Sequence, residues 1–201
     1  MPVTDSTVAK FWAWFAANAA VLKAVPPEGL ATAKLYGQLA DQLEKCHKRL
    51  KAEIDTAIDN GNWALVITAD GEERIFKFVE AIVAAAPPVP GWKVRAFRSR
   101  SDVGGSRIVF GPHEVSGDDI FASVAPAGAG RAAVTLYVRG LTDDNGLGRA
   151  AELLYHHAVG EYDSVKVVSD LRLLSLPDPV PAGAVSLADL PGVLDRAVGR
   201  T

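Results

Sequence analysis

The sequence predicts an α+β fold, a two-layer sandwich with a mixed sheet and an N-terminal helical pair. Three observations lead there. Residues 62–70, 72–86 and 92–99 read as strand, helix and strand, which makes one βαβ unit. Turn signals at Asp59-Asn60-Gly61 and at residues 126–130 place hairpins on either side of that unit. Two stretches with helical spacing precede the first strand.

The run Trp63-Ala64-Leu65-Val66-Ile67-Thr68 is apolar on both faces, so it belongs in the middle of its sheet. The helix that follows carries Ile75, Phe76, Val79, Ile82 and Val83 on one stripe, with Glu72, Glu73 and Glu80 off it. Asp70 is placed to cap its start, and Pro87, Pro88 and Pro90 stop it. A crossover between parallel strands is nearly always right-handed.

The chain has 201 residues, which reads as a single domain: helices over 1–48, an α+β core over 49–176 and a Pro-rich tail with a short helix over 177–201. No apolar run approaches the ~20 residues of a membrane span, and no leader is legible at the N-terminus. The one cysteine, Cys46, allows no intrachain disulfide, and a cytoplasmic location is expected. A net charge of −3 argues against a broad nucleic-acid or anionic-membrane surface. No nucleic-acid or membrane partner is therefore expected.

The first helix runs to about Val25 and carries Phe11, Trp12, Trp14, Phe15, Ala19 and Leu22. Aromatic residues cover so much of its circumference that it needs more than one contact surface. Phe11 and Trp14 are expected in the core. Trp12 or Phe15 is expected at a homodimer contact, a protein partner or the second helix. The second helix spans about 30–46, with Leu35, Leu39 and Leu43 one turn apart. Residues 49–57 alternate in strand period and are assigned to a strand antiparallel to 63–70, with one long helix to Asn60 as the alternative.

Residues 107–110 read as a short strand, 120–125 and 132–139 as a hairpin, and 147–159 as a helix with Ala150, Leu153, Leu154 and Ala158 inward. Gly160 is its C-cap. Residues 165–176 form a last strand, and a helical stretch over 187–198 is interrupted at Pro191-Gly192. The summed order holds one parallel crossover and suggests a ferredoxin-like core.

Four stretches resemble an uncharacterised family of bacterial proteins to which no activity is assigned. They are Phe11-Trp12-Ala13-Trp14-Phe15, residues 65–71 (Leu-Val-Ile-Thr-Ala-Asp-Gly), residues 90–98 and Gly160-Glu161-Tyr162-Asp163. The resemblance spans most of the chain to about Leu176, and it implies a strand before Asp59. Members of that family usually lack the His156-His157 pair, which counts against a catalytic role for those histidines.

Candidate chemistry falls in a few places. His157 and Glu161 are four residues apart, so on one continuous helix they share a face, and Asp163 could complete an N/O metal site. Gly160 between them favours a solvated helix end instead. His113, Glu114, Asp118 and Asp119 form a loop cluster better explained by turns and caps. Arg95, Arg98, Arg100 and Arg107 flank Gly104-Gly105, where an anion or nucleotide could bind, but no P-loop or G-x-G-x-x-G pattern is present. Tyr137 and Arg139 mark a polar sheet face. Cys46 beside His47 diverges from it on a helix, which disfavours a nucleophile. Nothing in the sequence calls for a cofactor or a resident metal. The reading that follows is a non-catalytic binding or interaction module. The alternatives are a small hydrolase-like enzyme using His157, Glu161 and Asp163, and an anion- or nucleotide-binding regulator using Arg95, Arg98 and Arg100.

Overall fold

The computed structural model describes residues 5–25, 29–59, 61–110, 113–143 and 146–200. The chain is α+β with mixed sheets and an N-terminal helical pair. It divides into two compact units, Met1–Arg98 and Ser99–Thr201. The βαβ and hairpin elements expected of one mixed sheet are all present, distributed over separate sheets in the two units.

In the first unit, α1 (Asp5–Ala24) and α2 (Leu30–Glu44) precede a three-stranded sheet of β1 (Lys51–Asp59), β2 (Asn62–Thr68) and β3 (Trp92–Ala96). The strand order is β1-β2-β3. β1 runs antiparallel to β2, with Ile54 opposite Leu65, which resolves residues 49–57 in favour of a strand. β2 runs parallel to β3, with Leu65 opposite Val94. Ala64, Leu65, Val66, Ile67 and Thr68 are all buried, as a central strand covered on both faces requires. The crossover is a 3₁₀ turn, Glu73–Ile75, followed by α3 (Phe76–Ala84), which buries Phe76, Val79 and Ile82. Asp70 does not cap this helix. It adopts φ 54°, and its carboxylate instead pairs with Lys51 and Arg98.

α1 docks on this βαβ unit through rings. Val8, Phe11, Trp12, Phe15, Ala19 and Leu22 are buried and recur at three- and four-residue spacing, one helical stripe. Trp12 Nε1 donates to the carbonyl of Ile82 at 3.0 Å, in the last turn of α3, where helix carbonyls lack full intrahelical partners. Trp92 Nε1 donates to the Ala19 carbonyl at 3.2 Å. Phe15 meets Trp92 edge-on at 5.1 Å between centroids. The expected division of the aromatics is therefore corrected: Trp12 and Phe15 are core, and Trp14 is only half-buried. Trp14 lies roughly 100° from the centre of the buried stripe at 3.6 residues per turn.

In the second unit, β4 (Arg107–Phe110) and β5 (His113–Ser116) form a two-stranded ladder. A 3₁₀ turn, Gly117–Asp119, leads into the hairpin of β6 (Ile120–Gly128) and β7 (Arg131–Val138). Gly117 is required there, because a Cβ would come within 2.3 Å of the Val103 carbonyl oxygen. Then come α4 (Leu147–Val159), α5 (Glu161–Lys166), β8 (Val168–Ser175), β9 (Val185–Ser186) and α6 (Leu190–Ala197). The sheet order is β8-β7-β6-β9.

β7 and β8 are parallel, so α4 and α5 form a second crossover where the sequence showed one. Gly160 caps α4, as expected, with φ 80° and its amide on the His156 carbonyl. The inward residues of α4 are Ala150, Ala151, Leu154, Tyr155, Ala158 and Val159, while Leu153 is exposed. Pro191 sits in the first turn of α6 and begins that helix rather than interrupting it. Leu187, Leu190 and Leu194 are fully buried, so residues 185–197 belong to this unit's core. Among the described residues, no helix is long and apolar enough to cross a membrane.

The ring contacts rank the aromatic substitutions. Phe15→Ala removes a fully buried ring and should cost about 3–5 kcal/mol. Trp14→Ala should cost less, because part of that residue stays exposed to water in the folded state. Urea denaturation of the two variants measures the difference.

Candidate functional site

The residues singled out for chemistry fall mostly into ion-pair networks. In the first unit, Arg98 donates to Glu53 through Nε and Nη2, at 2.9 and 2.6 Å, and to Asp70 at 2.9 Å. Arg95 lies 4.0 Å from Asp55. Asp70 is held below the usual carboxylate range by its hydrogen bonds from Lys51 and Arg98. In the second unit, Arg100 donates to Asp195 at 2.6 and 2.8 Å, to Asp163 at 2.5 Å and to the Val159 carbonyl at 3.3 Å. Arg200 holds the other oxygen of Asp163 at 2.8 Å. Hydrogen bonds from Arg100 hold the Asp195 carboxyl below its ordinary range.

Arg100 and Asp163, assigned by sequence to different sites, thus meet in one cluster. Asp195 and Arg200 complete it, and no sequence spacing pointed to them. A guanidinium already matched by two carboxylates has little capacity left for a phosphate. His157 does not share a helix with Glu161, since α4 ends at Gly160 and α5 starts at Glu161. His157 is exposed at the end of α4, where its carbonyl accepts from the Ser101 amide at 2.8 Å, and Glu161 is buried. Among the described residues, no group of three His, Cys, Asp or Glu is arranged to hold a metal ion.

The remaining candidates are local. Tyr137 Oη lies 3.4 Å from Ser123 Oγ, and Arg139 Nε donates to Asp119 at 3.1 Å. Glu114 pairs with Arg107 across the β4–β5 ladder, and Ser116 Oγ accepts from the Asp118 amide, so this segment is strand and cap rather than loop. The His113 side chain lies outside the described residues. Cys46 is buried, and burial pushes its thiol up, away from thiolate chemistry. Tyr155 is also buried, and burial raises its phenol; among the described residues its hydroxyl has no hydrogen-bond partner.

A concave surface lies elsewhere, in a groove of about 740 Å³ between α1 and α3. Val8, Ala9, Trp12, Ala13 and Ala16 line one wall. Phe78, Ala81, Ala85 and Pro87 line the other, with Lys77 as the single charged residue among the described lining residues. Ala9, Ala13 and Ala16 on α1, Ala81 on α3 and Ala85 just past its end are exposed, and their small side chains leave the space open. The indole bond from Trp12 to Ile82 ties the two walls together beneath it. The imidazole of His47 stacks on Phe78 at 4.8 Å, and the Lys77 ammonium lies 5.2 Å from the same ring. The volume falls within the range typical of small-molecule sites, roughly 300–1,000 Å³.

Comparison of the chain with protein-family models, with curated proteins and with solved structures finds no match.

The two classes of ion pair should separate in mutational cost. Arg100→Ala breaks charge-assisted bonds at a carboxylate only 13% exposed and should destabilise by about 1.5–3 kcal/mol. Arg139→Ala breaks an exposed pair and should cost under about 1 kcal/mol. Asp195 has a depressed folded pKa, so its contribution is full above its unfolded value and disappears as pH falls through the folded one. The stability gap between wild type and Arg100→Ala, measured by urea denaturation, should therefore hold above about pH 5 and narrow in stronger acid.

Proposed function

We propose that the protein is a non-catalytic binding module whose α1–α3 groove receives an amphiphilic carboxylate, with an apolar chain along the alanine-lined walls and its anionic head at Lys77. The observation that carries this reading is the composition of the groove: rings and methyl groups on both walls, and, among the described lining residues, one cation and no acid. An apolar body gains from leaving water against such walls, and a single cation at the edge selects the sign of the head group. The aromatic first helix, which the sequence pointed to as an interaction surface, supplies half of the site. The catalytic and anion-binding readings draw less support, since Asp163, Arg95, Arg98 and Arg100 already face groups of opposite charge.

The test is a thermal-shift titration with dodecanoate, dodecanol and dodecyltrimethylammonium. Dodecanoate should stabilise most, by about 2.7 kcal/mol at a hundred times its Kd. Ala13→Trp, which fills the groove from an exposed position, should remove the effect without lowering the stability of the ligand-free protein. Lys77→Glu should weaken dodecanoate and leave dodecanol unchanged. Equal response to all three amphiphiles, or a dodecanoate shift that survives Ala13→Trp, would refute the assignment.

A further inference from the structure

We infer that the outer edge of β8 is a self-association surface, and that a second copy of this chain pairs with it antiparallel about Leu171. β8 is the end strand of its sheet, eight residues long, with β7 alone beside it among the described strands. Asp170, Arg172 and Leu174 are exposed, while Leu171 and Leu173 turn toward the core. An unpaired edge of this length is a template for another strand unless its charges forbid it.

Two-fold pairing that keeps both cores on the same side must centre on a residue, because strand side chains alternate with period two. Centred on Leu171, the pairing sets Asp170 opposite Arg172 of the other copy, and Arg172 opposite its Asp170. Both unlike pairs form at once by symmetry. Centring on Asp170 or Arg172 instead opposes like charges, so the charges select one register. Within a single chain, Arg172 Nε bonds Asp170 Oδ2 at 2.8 Å, so both groups lie together on the exposed face.

At their centres the other long edges are not built this way. On β1, centring on Glu53, Ile54 or Asp55 sets acid against acid, and a register that opposes Lys51 to Glu53 exists only at the strand's start, about Ala52. On β3, centring on Lys93, Val94 or Arg95 sets cation against cation. The part of β6 beyond β9, residues 123–128, carries no charge and holds Pro126. Like charges directly opposite are destabilising. β9 has two residues, and β4 and β5 have four each, too few for a comparable ladder.

The test is sedimentation velocity of the full chain over a wide concentration range, with exposed-site charge variants. Wild type should show a concentration-dependent dimer. Asp170→Arg and Arg172→Asp, each alone, should weaken it by about tenfold or more while leaving the melting temperature nearly unchanged. The double variant Asp170→Arg/Arg172→Asp should dimerise like wild type, because the swapped charges complement each other again. Mixing the two single variants should restore a dimer, since one then presents two cations and the other two acids. A wild type that stays monomeric, or single variants that dimerise as tightly as wild type, would overturn the inference. Failure of both the swap and the mixture to restore dimers would overturn it as well.

Discussion

Both units of this protein depend on one constraint: a strand that has an antiparallel neighbour on one edge and a parallel neighbour on the other. β2 occupies that place in the first unit and β7 in the second. A parallel partner can be reached only by a crossover, and the crossover helix must cover the sheet. That requirement places α3 over β2 and β3, and α4 over the second sheet. The order hairpin, helix, parallel strand therefore occurs twice with no sequence repeat to announce it. In the first unit the constraint also creates the candidate site. α3 presents its last-turn carbonyls where the Trp12 indole can reach them, and α1 then lies beside α3 with a row of alanines facing it.

What was legible in the sequence was what burial writes into periodicity. β2 was readable because residues between two layers are apolar without alternation. The Gly160 cap was readable because the chain must leave α4 with positive φ. The direction of β8 was not, since the same alternation serves parallel and antiparallel strands, and the second crossover was missed with it. β5 is four residues holding a histidine and a glutamate between Pro112 and Gly117, too short to show a period. α5 was hidden because Gly160 resets the helical phase before only six residues.

The site was less legible than the fold. Arg100 meets Asp163 and Asp195 across 63 and 95 residues of sequence, separations at which spacing carries no information. Arginines and carboxylates that look like separate binding candidates in the sequence satisfy each other in the fold. The groove has a different cause. Exposed alanines on α1 look like ordinary helix formers, and only the placement of α3 beside them makes a concave wall. Trp14 misled for the related reason that an aromatic cluster on a helix counts as core only by angle, and Trp14 lies off the stripe that Phe11 and Phe15 share.

The central claim is that the α1–α3 groove binds an amphiphilic carboxylate. The most direct measurement is methyl NMR on protein labelled at the alanine methyl groups, titrated with dodecanoate. The account predicts saturable shifts at Ala9, Ala13, Ala16, Ala81 and Ala85, with Ala150, Ala151 and Ala158 in the core of the second unit unmoved. Shifts confined to other alanines, or none at millimolar dodecanoate, would contradict it.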